Sequence, residues 1–103
     1  DRLKESAERY DLSVEELSRE LGMSRVNLYK RLVAMTGKTP IEFIRVIRLK
    51  HAAKLLRETR MNISEVAYQV GFNNPKYFTK YFKEEFGMLP SVYQEKEKQE
   101  QGE

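Results

Sequence analysis

The sequence predicts an all-α protein in which two helix pairs are joined by a long helix. Three observations lead to this prediction. At four places a Ser, Thr or Asn precedes a Pro or Glu at the spacing of a helix N-cap: Ser13, Thr39, Asn62 and Asn74. Glycines follow where a left-handed residue would end a helix: Gly22, Gly37, Gly71 and Gly87. Few segments alternate with the two-residue period of a strand.

These start and stop residues place the helices in chain order. The predicted ranges are 1–10, 13–21, 24–36, 40–58, 63–70, 74–86 and 90–97. In the third helix Leu28, Leu32 and Met35 recur at i, i+4 and i+7, which directs them toward a core. In the sixth, Phe78, Phe82 and Phe86 form the corresponding apolar stripe. Glu, Lys and Gln dominate residues 94–103, which we expect to be a polar tail.

An internal repeat relates the two helix pairs. The apolar pattern and glycine of residues 14–23 recur at 63–72, and those of residues 28–43 recur at 78–93 after one inserted residue. Each copy is a short helix, a tight turn around Gly and a longer helix, which is the outline of a helix-turn-helix. We therefore predict one domain with helix-turn-helix subdomains at 12–37 and 62–87. The linker helix, 40–58, spans about 27 Å, the right order for placing two recognition helices one DNA turn apart.

Positive charge is concentrated in the middle of the chain. The net charge of the 103 residues is +3, but residues 21–83 carry 13 basic and 3 acidic side chains. Both ends are net acidic. A strongly basic section attracts polyanions, although such residues also solvate ordinary helix faces. Nucleic acid is the first partner that this distribution indicates.

The residue pattern resembles the DNA-binding domain of AraC/XylS-type bacterial transcription regulators. The strongest stretch is Ile-Ser-Glu-Val-Ala-Tyr-Gln-Val-Gly-Phe at 63–72, followed by Tyr77-Phe78, Phe82-Lys83, Gly87, Pro90-Ser91 and Tyr93. One departure is Gln94, where the family usually carries Arg. The resemblance implies a double helix-turn-helix module that binds and modestly bends an asymmetric duplex site. It also implies a sensory or dimerisation part outside this chain, and the chain is similar to output domains of hybrid two-component sensors.

Outward residues of the two recognition helices are the candidates for DNA contact. On the first helix Arg25 lies on the outward side, and helical spacing puts Val26, Tyr29, Lys30 and Val33 on one stripe. Lys30 is suited to a guanine edge, Val26 to a thymine methyl, and Tyr29 to bases or phosphate. On the second helix the outward residues are Lys76, Thr79, Lys80 and Lys83. The first three of these occupy positions that resemble the family's base-reading residues.

Phosphate contacts are expected near helix N-termini, where unpaired N–H groups attract anions. The candidates are Asn74 at a predicted cap and the cationic side chains of Arg31, Lys38 and Arg45. Such contacts fix the register of a protein on DNA without reading its sequence.

Several function classes are disfavoured by composition. The chain has no cysteine and one histidine, His51, so we expect no metal site, no cofactor and no enzymatic activity. No apolar run approaches the length of a membrane span. We expect a cytoplasmic domain without membrane contact, with RNA polymerase as a candidate partner and dimerisation through the absent region. The alternative is a helical protein-interaction adaptor, which predicts apolar outward faces.

Overall fold

A computed structural model of the chain describes residues 14–101, and every regular element in that range is an α-helix. The helices are α1 (Val14–Leu21), α2 (Arg25–Thr36), α3 (Pro40–Glu58), α4 (Ile63–Gln69), α5 (Pro75–Phe86) and α6 (Pro90–Gln101). The predicted all-α fold with two helix-turn-helix pairs, α1–α2 and α4–α5, is confirmed. The helix predicted at 1–10 and the cap predicted at Ser13 lie outside the described residues.

The chain divides into two compact units. The first ends at Arg48 and the second begins at Leu49, so the boundary falls within α3. The first unit contains α1, α2 and the N-terminal part of α3. The second contains the C-terminal part of α3 and helices α4, α5 and α6.

Apolar side chains from three helices form the core of the first unit. Leu17 of α1, Leu28 and Leu32 of α2, and Ile44 of α3 are each at most 4% exposed. Five partly buried side chains pack around them: Val14, Leu21, Met23, Phe43 and Ile47. This burial fixes which side of α2 faces inward, and therefore which side chains face outward.

The second unit is built around aromatic rings. Phe78 and Phe82 of α5 are completely buried, as is Val66 of α4. The Phe82 ring centroid lies 4.5 Å from that of Phe86 and 5.5 Å from that of Tyr93, which belongs to α6. Ring pairs at these separations add to the stabilisation that area burial provides. The predicted stripe of three phenylalanines therefore faces the core, with Phe86 half-buried.

Two of the predicted helix starts are capping boxes. At α4, Glu65 donates its backbone N–H to Asn62 Oδ1 over 2.8 Å, and Asn62 donates its backbone N–H to Glu65 Oε1 over 2.9 Å. At α3, Thr39 and Glu42 make the same reciprocal pair, at 3.2 and 2.9 Å. Each pair satisfies donors that a helix end leaves without partners.

The repeat in the sequence reappears in the backbone hydrogen bonds. Gly22 donates to Arg19 O over 3.2 Å, and 49 positions later Gly71 donates to Tyr68 O over 3.1 Å. At the ends of the longer helices, Gly37 bonds to Val33 O and Gly87 to Lys83 O, at 2.9 and 2.8 Å. The φ angles of Gly37 and Gly87 are 75° and 78°, which residues with a Cβ rarely adopt.

Two predictions need correction. Met35 was expected in the core but is 70% exposed, because it lies in the last turn of α2, beyond the turn from which Leu32 reaches the core. The last helix continues to Gln101 instead of ending near 97, since Glu, Lys and Gln are good helix formers. Gln94, expected to begin a fraying tail, donates Nε2 to Met61 O over 3.0 Å.

Candidate nucleic-acid interface

The outward side of α2 carries the residues predicted for DNA contact in the first unit. Val26 is 62% exposed and Tyr29 is 51% exposed, and both Arg25 and Lys30 are exposed as well. Ser24 caps the helix by accepting a hydrogen bond from the Asn27 N–H over 3.1 Å. Ser24 was not among the predicted caps. Because Leu28 and Leu32 are buried on the other side of the helix, this side of α2 faces solvent.

Arg25 is paired with a carboxylate on the preceding helix. Its Nη1 lies 3.1 Å from Glu15 Oε1, and both side chains are more than half exposed. An exposed ion pair of this kind contributes about 0–1 kcal/mol to stability. The pair joins the first residue of α2 to the first turn of α1.

An apolar groove of about 550 Å³ lies along the outward side of α2. Val26 and Tyr29 line it from α2, and Ile41 lines it from the first turn of α3. The cationic side chains of Arg25 and Lys30 also line it. Ile41 is 62% exposed, as Val26 is. The groove therefore combines an apolar floor with positive charge.

Ile41 is held in place by the capping box at the start of α3. Hydrogen bonds from Thr39, first from its backbone N–H and then from its hydroxyl, lower the pKa of Glu42 below its ordinary value. The carboxylate is therefore ionised at neutral pH and engaged in the cap. Pro40, which precedes Ile41, is buried and fixes the backbone at the first helical position.

The outward side of α5 has a different chemistry. Lys76, Lys80 and Lys83 are exposed, and Thr79 is half-buried. Lys80 Nζ lies 5.5 Å from the centroid of the Tyr81 ring, within the range of a weak cation–π contact. This side presents ammonium and hydroxyl groups, which are hydrogen-bond donors.

The predicted phosphate-binding residues occupy varied positions. Arg31 and Lys38 are exposed, whereas Arg45 is half-buried on α3. Asn74 Oδ1 accepts a hydrogen bond from the Lys76 N–H over 2.8 Å and so caps α5. This cap leaves the side-chain amide N–H groups of Asn74 as the donors with which it can bind a phosphate.

Two residues of this surface, Ile41 and Glu15, were not predicted from the sequence. Ile41 stands three positions before the buried Ile44, so helical spacing groups it with the core and not with the surface. Glu15 carries a charge opposite to that expected of a DNA-binding surface. Its pairing with Arg25 depends on how α1 packs on α2, which spacing along the chain does not specify.

The described residues contain no cluster of His, Asp or Glu side chains able to hold a metal ion. Within the same range, no helix has both the length and the apolar character that crossing a bilayer requires.

Comparison with known proteins identifies the family. A family described as a helix-turn-helix domain matches residues 17–96. Histidine kinase P4 of Formosa agariphila is 53% identical over 77 residues, which are 75% of this chain and 6% of the kinase. The chain spans 27–30% of the length of several transcription regulators that it also matches.

Several solved structures share the fold at more than 25% identity. The DNA-binding domain of AdpA, a global transcriptional factor solved in complex with a target DNA, is 27% identical with a TM-score of 0.81, over 98% of this chain and 89% of that one. A probable AraC family transcriptional regulator from Rhodopseudomonas palustris is 26% identical with a TM-score of 0.80, over 93% and 94% of the two chains. This chain belongs to the helix-turn-helix domain family of AraC-type transcription regulators.

Proposed function

We propose that this chain binds double-stranded DNA at specific sequences, through the outward sides of α2 and α5, to regulate transcription. The observation that carries the proposal is that each helix-turn-helix unit buries one side of its longer helix and exposes the other with cationic side chains. Family membership supports it, because relatives that share this domain include transcription regulators. The second support is the likeness to the AdpA domain, which was solved on its target DNA.

DNA contact by the recognition helices is assigned to their outward side chains. The candidates are Arg25, Val26, Tyr29, Lys30, Lys76, Thr79, Lys80 and Lys83. Lysine donors suit the O6 and N7 acceptors of guanine, and the hydroxyl of Thr79 suits either donor or acceptor edges. Residues in the N-terminal part of a recognition helix are the ones that reach base edges. Lys76 and Lys80, in the first two turns of α5, therefore have a better position for base reading than Lys83.

Phosphate contacts are assigned to Arg31, Lys38, Arg45 and Asn74. The cationic members neutralise phosphate charge, so their contribution depends on salt and not on sequence. Asn74 lies at the N-terminus of α5, where the remaining backbone N–H groups of the first turn attract an anion.

We also propose partners for the longer protein that contains this domain. The histidine kinase match places a closely similar segment within a much longer protein. We infer that a sensory region controls this domain and that its dimerisation brings two copies to DNA. Linking two weak binding modules raises their effective concentration and hence their combined affinity. A cytoplasmic location and contact with RNA polymerase follow from a role in transcription.

The test is selection of the 103-residue chain against a random duplex library. The affinity of the enriched pool is then compared with that of bulk DNA at two salt concentrations. We expect an asymmetric site with two short blocks about one helical turn apart. Binding that is equally weak on all duplexes and equally salt-sensitive would contradict sequence-specific reading by this chain. The absence of binding at low salt would instead favour a protein-interaction role.

A further inference from the structure

The two units present different chemistry on their outward sides. In the first unit, Val26, Tyr29 and Ile41 line one groove, and apolar atoms make up most of the groove's exposed surface. In the second unit, the outward side of α5 carries three exposed lysines and the Thr79 hydroxyl. Three large exposed side chains that are mainly apolar in one groove favour an occupant that presents apolar groups there.

The charge at the groove limits what it can bind. Lys30 and the ion-paired Arg25 line the same groove as the apolar side chains, which favours an occupant that carries negative charge close to apolar groups. DNA meets this requirement in its major groove, where phosphates flank the base edges. The thymine C5-methyl group is the apolar group that a base edge presents there.

Building on the proposed function, we propose that the first unit recognises thymine methyl groups through the groove formed by Val26, Tyr29 and Ile41. Val26 lies one residue into α2, at the end of the helix that reaches base edges. Ile41 extends the apolar surface from the first turn of α3, and so lies outside the recognition helix. The second unit reads its part of the site through lysine donors. Binding therefore depends on thymine methyl groups in the part of the DNA site that the first unit contacts, and not in the part that the second unit contacts.

Deoxyuridine tests this inference directly, because it pairs like thymidine and lacks only the methyl group. Each thymine of the duplex enriched by selection is replaced in turn by deoxyuridine, and the dissociation constant is measured for the 103-residue chain. We expect a loss of about fourfold for each methyl that the groove contacts, equivalent to about 0.8 kcal/mol. Replacements within the block read by α5 are expected to leave the dissociation constant unchanged.

Val26→Ala identifies the thymines that belong to the groove. This variant is expected to bind the thymine and deoxyuridine duplexes equally at the positions where the wild type distinguishes them. Met35→Ala is the matched control, since Met35 is also an exposed apolar residue of α2 but does not line the groove. It is expected to keep the wild-type discrimination. Thermal unfolding verifies that both variants fold, as the exposure of both side chains predicts.

The outcomes separate this inference from the function on which it rests. Failure to enrich any duplex would overturn sequence-specific binding, and the thymine inference with it. An enriched site whose Val26-dependent block contains no thymine, or which binds equally with deoxyuridine, would overturn only the thymine inference. Equal discrimination by Val26→Ala and the wild type would do the same, because the methyl contact would then lie outside the groove.

Discussion

Arg25 and Glu15 form an ion pair across the first helix-turn-helix, with Arg25 Nη1 3.1 Å from Glu15 Oε1. The arginine is one of the cationic residues by which the first unit would meet DNA. A phosphate that approaches Arg25 therefore competes with a carboxylate on α1 and is repelled by its charge. Because both side chains are exposed, the pair contributes little to stability, and its main effect falls on binding.

Glu15→Gln is expected to strengthen binding to duplex DNA of any sequence, by up to about fivefold at low salt. The substitution removes a negative charge from the interface and releases Arg25 for a phosphate. If Arg25 then contacts one more phosphate, the slope of log K against log salt becomes steeper by about 0.9. Fluorescence anisotropy titrations at several salt concentrations measure both quantities.

The control for this prediction is the same substitution in an Arg25→Ala background. There Glu15→Gln removes only the general repulsion, so its effect on affinity is expected to shrink and the salt slope to stay constant. An equal gain in both backgrounds would show that the ion pair does not restrain Arg25.

Phe82→Ala is expected to destabilise the second unit by about 3–5 kcal/mol. Phe82 is completely buried and contacts the rings of Phe78, Phe86 and Tyr93. Its removal leaves a cavity at the centre of these rings. Urea unfolding followed by circular dichroism measures the loss.

Tyr77→Ala serves as the matched control, since Tyr77 is an aromatic residue of the same helix but is exposed. Its effect is expected to stay within about 0.5 kcal/mol. A near-neutral Phe82→Ala together with a destabilising Tyr77→Ala would mean that α5 is rotated relative to the arrangement described above.

Ionisation of Glu42 makes the stability of the first unit depend on pH in the acidic range. Its pKa is lowered by the Thr39 N–H and hydroxyl in the folded chain, so folding favours the ionised carboxylate. The resulting stabilisation is fully present above the ordinary value of 4.5 and is lost as the pH falls from there through the lower folded pKa. Wild type is expected to be more stable than Glu42→Gln at pH 7, and the difference is expected to shrink as the pH falls below 4.5. Thermal unfolding across this range measures it, and a constant difference would contradict the role of the ionised cap.

The helix boundaries were predictable because their causes are local. Asn62 and Glu65, three residues apart, contain all the chemistry of a capping box, and Gly37 and Gly87 mark backbone angles that other residues rarely adopt. Burial was predictable where a helix crosses a core. The prediction of burial was wrong for Met35, because periodicity gives the direction of a side chain but not how far the neighbouring core extends.

The candidate interface was predictable to a similar degree. Periodicity identified Val26, Tyr29 and Lys30 as outward residues, and the structure exposes all three. It missed Ile41 and Glu15, which join the same surface from other helices. Their positions depend on the packing of α1 and α3 against α2, a property of the folded unit that one segment of sequence does not contain.

We propose that the outward sides of α2 and α5 read base edges. The most direct test measures Lys30→Ala and Lys80→Ala on the selected site and on bulk DNA. Each variant is expected to lose about 1–3 kcal/mol on the selected site and much less on bulk DNA, because a missing base contact removes discrimination. Equal, small losses on every duplex, with the salt slope reduced by about 1, would show that these lysines contact only phosphates and would contradict the claim.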